Sequence, residues 1–377
     1  MQTCSNSTVN STIEVNFYKS GSSTTAYVPT DIVVDSSNNR YLAFYEEFFE
    51  SLFVTKIAPG GTFSWIIEYG DLYFTAKAKV IALSSDETKL RMLSQFDQRT
   101  VQLVEVYANN GTTILRKVLD SLEILDAYRT NFVCSGTEDS SNICFFLGLG
   151  TQDSNQKVWK FDFANPSYLI YTDSNDTNHQ LTSVAPIDDD NVIVSGYDPT
   201  TTPQKFIFYS SNFSSTSMNW AVEANTFEDI YATVNFRNTY GHVSSDSTKY
   251  SCILYRENSY QIVVLNSNNG TLIETKHLTY STNFTGVSLV ANGWISDDMI
   301  ILSLSTSTEN SNMVDFINTN DWTLTSFKGS SRTELGGFSQ LFNTDQIILL
   351  LQDIDNQVDF SLQIAYDKFH MTEFFTQ

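Results

Sequence analysis

Tyr41-Leu-Ala-Phe-Tyr45, a short apolar run bounded by polar turn residues, returns along the chain as Leu90-Arg-Met-Leu93, Ile143-Cys-Phe-Phe-Leu147, Val192-Ile-Val-Ser-Gly196, Ser251-Cys-Ile-Leu-Tyr255, Met299-Ile-Ile-Leu302 and Ile347-Ile-Leu-Leu-Leu351. The seven copies span 306 residues, a mean step of 51. A second marker keeps the same period. It is a tight turn reading Pro59-Gly-Gly-Thr62, Asn109-Asn-Gly-Thr112, Asn165-Pro-Ser167, Ser214-Ser-Thr216, Asn268-Asn-Gly-Thr271 and Thr319-Asn-Asp-Trp322. Two markers with one period identify a structural repeat.

Between the markers, β-branched and aromatic runs alternate with Asn/Asp/Ser/Gly clusters, and no long stretch carries a helical period. The chain therefore reads as all-β, each repeat being four antiparallel strands with the apolar run in the second. A four-stranded sheet of this size cannot cover both of its faces, whereas seven arranged radially cover one another and leave only short edges. The expected fold is a seven-bladed β-propeller over residues 24–377, with blades near 24–74, 75–125, 126–176, 177–228, 229–281, 282–331 and 332–377. Residues 1–23 form an N-terminal segment in which Thr12-Ile-Glu-Val-Asn-Phe-Tyr18 is a candidate closing strand; Met371-Thr-Glu-Phe-Phe375 aligns with the same position.

Composition narrows the function. The 377 residues carry 43 acidic and 21 basic side chains, a net charge of -22, which disfavours binding to nucleic acid phosphates. No apolar run approaches the roughly 18 residues that span a bilayer, and no leader peptide is legible at the N-terminus. The four cysteines Cys4, Cys134, Cys144 and Cys252 include no C-x-x-C pair, which argues against zinc. Cys134 and Cys144 flank a polar segment within one expected hairpin, where facing strands would allow a disulfide and imply an oxidising compartment; two buried free thiols are the alternative. Sequons stand at Asn6, Asn10, Asn110, Asn175, Asn212, Asn269 and Asn283. A Ser- and Thr-rich chain with 31 asparagines meets roughly seven by chance, so they name glycosylation candidates without arguing for export.

Residues 24–74 carry a family resemblance. Pro29-Thr-Asp-Ile-Val-Val-Asp-Ser-Ser-Asn-Asn-Arg-Tyr41, followed by Leu52-Phe-Val-Thr-Lys-Ile-Ala-Pro-Gly-Gly-Thr-Phe-Ser-Trp65, resembles the SBBP-type repeat of secreted bacterial seven-bladed propellers. In that repeat an aspartate and a Gly-Asn turn precede an aromatic strand, and a Lys-apolar-x-x-x-Gly segment precedes the last strand. Here Asn38 occupies the turn-glycine position, and later repeats keep only the rhythm. Trp65, Trp220 and Trp322, near the starts of fourth strands, are similar to those of the quinoprotein-like propellers within the wider WD40-like group. No cofactor site is matched, so these tryptophans read as packing residues. The resemblance implies a fold and carries no catalytic residue.

The chemistry-bearing residues are sparse. His179, His242, His277 and His370 fall in different repeats, and no nucleophile elbow or phosphate loop occurs. Asp188-Asp-Asp190 and Asp173-Ser-Asn-Asp176 lack the glycine and distal glutamate of a calcium loop and read as turns. No metal or cofactor is expected. The loops between second and third strands share one rim, and they include Glu46-Glu-Phe-Phe-Glu50, Asp97-Gln-Arg99, Asp153-Ser-Asn155, Asp198 to Pro203, Glu309-Asn310 and Asp353-Ile-Asp355. Within that electronegative set Phe48 and Phe49, flanked by Glu46, Glu47 and Glu50, are the candidate contact residues; inward packing of one phenylalanine is the alternative. The expectation is a non-enzymatic extracellular binding or assembly module contacting proteins or glycans, itself open to homo- or hetero-assembly. A polysaccharide hydrolase or lyase and an intracellular scaffold are the competing readings.

Overall fold

The computed structural model describes residues 12–15, 27–46, 51–69, 81–97, 100–120, 122–124, 132–135, 142–150, 156–171, 179–198, 200, 205–215, 217–223, 241–256, 259–279, 287–306, 312–328, 333–340, 346–353 and 360–367. Every regular element among them is a strand. After β1 (Thr12–Val15), the first sheet is β2 (Tyr27–Val34), β3 (Arg40–Glu46), β4 (Ser51–Ile57) and β5 (Phe63–Tyr69). The second is β6 (Ile81–Leu83), β7 (Lys89–Asp97), β8 (Thr100–Tyr107) and β9 (Thr113–Asp120). The third holds β10 (Leu122–Ile124), β11 (Val133–Cys134), β12 (Ile143–Gly150), β13 (Gln156–Asp162) and β14 (Ser167–Tyr171), with both β10 and β11 paired to β12. The fourth is β15 (Gln180–Pro186), β16 (Asn191–Asp198), β17 (Lys205–Asn212) and β18 (Ser217–Glu223). The fifth is β19 (Gly241–Val243), β20 (Lys249–Arg256), β21 (Ser259–Asn266) and β22 (Leu272–Thr279), and the sixth β23 (Val287–Ser296), β24 (Met299–Thr306), β25 (Asn312–Asn318) and β26 (Leu324–Lys328). The last described sheet is β27 (Thr333–Gln340), β28 (Gln346–Asp353) and β29 (Phe360–Asp367), and β1 adds to its outer edge by pairing antiparallel with β29.

All pairings are antiparallel between sequence neighbours apart from that of β1 and the skip from β10 to β12. The first strands of successive sheets lie side by side, β2 with β6, β6 with β11, β11 with β15, β15 with β19, β19 with β23 and β23 with β27, and β27 lies against β2. Burial follows position in the sheet. In β3, Tyr41, Leu42, Ala43 and Phe44 are all buried, because a second strand has sheets packed on both of its faces. The fourth strands alternate between exposed and half-buried residues, as in Phe63–Tyr69 and Ser217–Glu223, because one face is open to water.

The core is a series of clusters between adjoining sheets. Ile143, Phe145, Leu147, Val192, Val194 and Tyr209 join the third and fourth; Phe206, Phe208, Tyr250, Cys252 and Val263 join the fourth and fifth. Each fully buried large apolar side chain contributes about 1.5–3 kcal/mol. The turns joining first to second strands supply the local specification. Asn38, Glu87 and Ser247 each take positive φ there (61°, 55° and 58°), and Asp35, Asp86 and Asp246 brace the loops. Ser84-Ser-Asp-Glu-Thr-Lys89 and Ser244-Ser-Asp-Ser-Thr-Lys249 build the same turn. The serine hydroxyl donates to the aspartate at 2.6 Å in both, and the aspartate accepts the amide of the following threonine at 3.1 and 3.0 Å.

Candidate interaction rims

An antiparallel four-stranded sheet has two ends, one bearing the first–second and third–fourth turns and the other the second–third loops. The turn end is built tightly. In five sheets the residue after the third strand donates its amide to a carbonyl in or beside the first–second turn: Ala108 to Thr88, Phe163 to Asn142, Phe213 to Asp190, Ser267 to Thr248 and Thr319 to Asp298.

Side chains then lace neighbouring sheets together at this rim. Glu87 of the second sheet accepts the Ser36 amide of the first at 2.8 Å and the Ser36 hydroxyl. Asp297 of the sixth sheet does the same for the fifth, accepting the Ser245 amide at 3.0 Å and its hydroxyl at 2.6 Å, and lies 2.9 Å from His242 Nε2. His242 stacks on Trp294, with ring centroids 5.2 Å apart. Lys160 of the third sheet pairs with Asp190 of the fourth at 2.5 Å. Asp188, the first residue of the acidic triplet, caps its own turn by accepting the amides of Asp190 and Asn191.

Two further latches recur between the first and second sheets and between the fourth and fifth. At bulges in the first strands, Asp31 accepts the Ile81 amide at 3.0 Å and Ser183 accepts the Gly241 amide at 2.7 Å. On the fourth strands, Trp65 Nε1 donates to the Ala108 carbonyl at 3.2 Å and Trp220 Nε1 to the Ser267 carbonyl at 2.9 Å. Each indole lies on a glycine of the next sheet's turn, Gly111 (φ 72°) or Gly270 (φ 70°). Trp65 and Trp220 are thus packing residues that bind one sheet to the next. Trp322 sits in the turn before β26 at φ 61°.

The second and third sheets are joined differently. Arg91, buried in the apolar run of β7, donates Nε to Glu105 of β8 at 3.1 Å and Nη2 to Asn142 at 2.7 Å, and lies 5.0 Å from the Phe163 ring centroid. Nearby, β11 sets Cys134 directly opposite Cys144 of β12, and their sulfurs are at disulfide distance, with Cα atoms 3.9 Å apart. A bond closing this short loop stabilises by about 2–3 kcal/mol. Cys252 is buried in the fourth–fifth interface, where burial pushes its thiol up to about 12. Native protein at pH 8 should therefore leave Cys252 unlabelled by a maleimide, whereas urea-unfolded protein labels it, as peptide mapping would show; fast native labelling would contradict the packing.

Four carboxylates of the turn rim, Asp86, Asp190, Asp246 and Asp297, titrate low. The Ser84 hydroxyl holds Asp86 down, and the Ser244 hydroxyl with the Thr248 amide brings Asp246 to about 2. The Lys160 ammonium lowers Asp190. Burial pulls Asp297 upward, but Ser245 and His242 outweigh it and the net shift is down. A carboxylate depressed in the folded state contributes stability above its unfolded value of about 3.9 and loses it as pH falls through the folded value. Stability should thus hold down to pH about 4 and fall toward pH 2. A urea titration over that range should show a shallower fall in Asp297→Asn, and an equal slope would contradict the assignment.

The opposite end is where second strands finish. Glu46, Asp97, Asp198 and Asp353 are the last residues of β3, β7, β16 and β28, so the topology brings these acidic positions to one rim. Asp198 accepts the Thr200 amide at 2.8 Å. Glu47, Phe48, Phe49 and Glu50 lie outside the described residues, as do Asn6, Asn10, Asn175, Asn283, His370 and Asp173–Asp176. Of the other histidines, His242 serves the latch above and His277 Nε2 lies 3.3 Å from Gln261. Among the described residues no three His, Cys, Asp or Glu side chains converge as metal ligands.

The arrangement has counterparts among solved structures. The Dos1 propeller shares 11% identity at a TM-score of 0.54, covering 89% of this chain and 78% of that one. The Cps50 (Swd1) β-propeller domain of Myceliophteria thermophila shares 8% identity at a TM-score of 0.55, covering 94% and 100%. The fold is a β-propeller. The uncharacterized protein lmo1340 of Listeria monocytogenes EGD-e is also similar, with 9% identity, a TM-score of 0.50 and coverage of 88% and 93%. No protein-family model and no curated protein matches the chain. At these identities the likeness concerns the fold alone. In the propeller each sheet is a blade, and the Trp, bulge and carboxylate latches are blade-to-blade bonds.

Proposed function

We propose that this propeller has seven blades on a repeat of about 51 residues, closed by β1 joining the last blade over an N-terminal segment, and that it is a non-enzymatic module that binds other proteins outside the cell. The observation that carries the reading is the contrast between the rims. The turn rim engages Glu87, Asp190 and Asp297 in blade-to-blade bonds, so these carboxylates serve the scaffold. The loop rim gathers the acidic ends of second strands. Phe48 and Phe49, which follow β3 in the sequence, are aromatic residues of the kind suited to anchoring a contact. A net charge of -22 favours partners with basic surfaces. The juxtaposed Cys134 and Cys144 favour an oxidising compartment.

A photo-crosslinking residue placed at position 48 should capture partner proteins that one at position 86, on the turn rim, does not. Replacing Phe48 and Phe49 by Ser should weaken binding of the captured partner by about tenfold or more with the thermal midpoint nearly unchanged. Equal capture from both rims, or collapse of the fold in the double variant, would oppose the reading.

A further inference from the structure

We propose that Asn110 and Asn269 carry N-linked oligosaccharide, that Asn212 does not, and that the turn rim is therefore shielded by sugar while docking is confined to the loop rim. The proposal rests on the extracellular reading above and deepens it by saying which rim is closed.

The three asparagines share a sequon and differ in what their side chains do. Asn110 and Asn269 occupy equivalent positions in Asn109-Asn-Gly-Thr112 and Asn268-Asn-Gly-Thr271, the third–fourth turns of the second and fifth blades, and both are exposed. In each, the amide oxygen holds the turn: Asn110 Oδ1 accepts the Thr112 amide at 2.9 Å, and Asn269 Oδ1 accepts the Thr271 amide at 3.0 Å and its hydroxyl at 2.8 Å. The nitrogen Nδ2, to which a sugar bonds, donates to no described residue in either. Each following glycine seats the turn on the preceding blade's tryptophan, so the asparagine is held at the outer edge of a rigid turn.

Asn212 is different. It is half-buried at the end of β17, directly opposite Asn191 of β16, and its Nδ2 donates to Asn191 Oδ1 at 2.8 Å while its Oδ1 accepts the Ser215 amide at 2.8 Å. A sugar on that nitrogen would crowd a cross-strand contact that the fold uses.

The chemistry is a group transfer from a polyprenyl-pyrophosphate-linked oligosaccharide. Nδ2 attacks the anomeric carbon, a C–N bond forms, the bond from that carbon to the pyrophosphate oxygen breaks, and Nδ2 gives up one proton as lipid pyrophosphate leaves. Transfer meets the chain before it folds, so the fold decides which sugars it can carry. Sugars at Asn110 and Asn269 leave every turn bond in place.

The test is to secrete the full chain, behind a cleavable leader, from cultured eukaryotic cells and to map occupancy by enzymatic deglycosylation in heavy-oxygen water. Incorporation of the label at Asn110 and Asn269 and its absence at Asn212 is the expected result, with Asn110→Gln and Asn269→Gln each removing one glycan from the intact mass. Empty sites at Asn110 and Asn269, or an Asn212 occupied as fully in folded protein, would overturn the proposal. In protein from its native source, a Cys134–Cys144 disulfide with both asparagines bare would defeat this proposal alone. Reduced cysteines with bare asparagines would defeat the extracellular reading and the proposal with it.

Discussion

Arg91→Leu should lower the unfolding free energy by about 3–5 kcal/mol, the usual consequence of leaving one half of a buried ion pair behind. Arg91 and Glu105 are 1% and 2% exposed; Lys89 also pairs with Glu105 at 3.7 Å, but its side chain is 32% exposed, so it offsets only part of the loss of the guanidinium. The same substitution removes the bond to Asn142 and the contact with the Phe163 ring, so the second and third blades lose a polar tie. Combining it with Glu105→Leu should recover part of the loss, because no unpaired charge then remains. Urea midpoints of the two single variants and the double variant measure the coupling. A single substitution costing less than about 1 kcal/mol would mean that the pair is not buried between blades.

Gly270→Ala should cost about 2–5 kcal/mol from two sources that add. A non-glycine residue at φ 70° gives up about 1–2 kcal/mol, and crowding a packed contact costs about 1–3 more. A methyl group at this position would stand 2.4 Å from Trp220 Cε3, well inside van der Waals contact. Since Trp220 also donates to the Ser267 carbonyl, shifting the indole breaks that bond as well. Pairing Gly270→Ala with Trp220→Ala should make the glycine substitution nearly neutral apart from backbone strain, read again from denaturant midpoints. An unchanged cost in the tryptophan-free background would show that the indole does not rest on the turn.

The all-β antiparallel character and the propeller class were legible because each strand repeats a local pattern, and a period needs no knowledge of what touches what. Asn38, which the family resemblance sets at a turn-glycine position, takes a positive φ of 61°. Bonds between blades were not. Trp65 and Trp220 stood out in the sequence, but their acceptors, the carbonyls of Ala108 and Ser267, lie one repeat away and are fixed by how blades face each other. A signal did exist, since each tryptophan is followed one repeat later by Asn-Asn-Gly-Thr. The paired Ser-Ser-Asp-x-Thr-Lys hexads at 84–89 and 244–249 were equally visible and went unread. Arg91 interrupts an apolar run, an anomaly that marks a buried partner, yet only the pairing of β7 with β8 places Glu105 opposite it. The aromatic pair Phe48 and Phe49 lies outside the described residues.

The proposed closure of the wheel, in which the N-terminal strand β1 completes the last blade, can be tested by a single cross-link. Ile13 of β1 stands opposite Leu362 of β29. With both replaced by cysteine, mild oxidation should join peptides containing positions 13 and 362 within one molecule, as seen in the non-reduced peptide map. Failure to form that link in folded protein, or its formation only between molecules, would contradict the closed wheel.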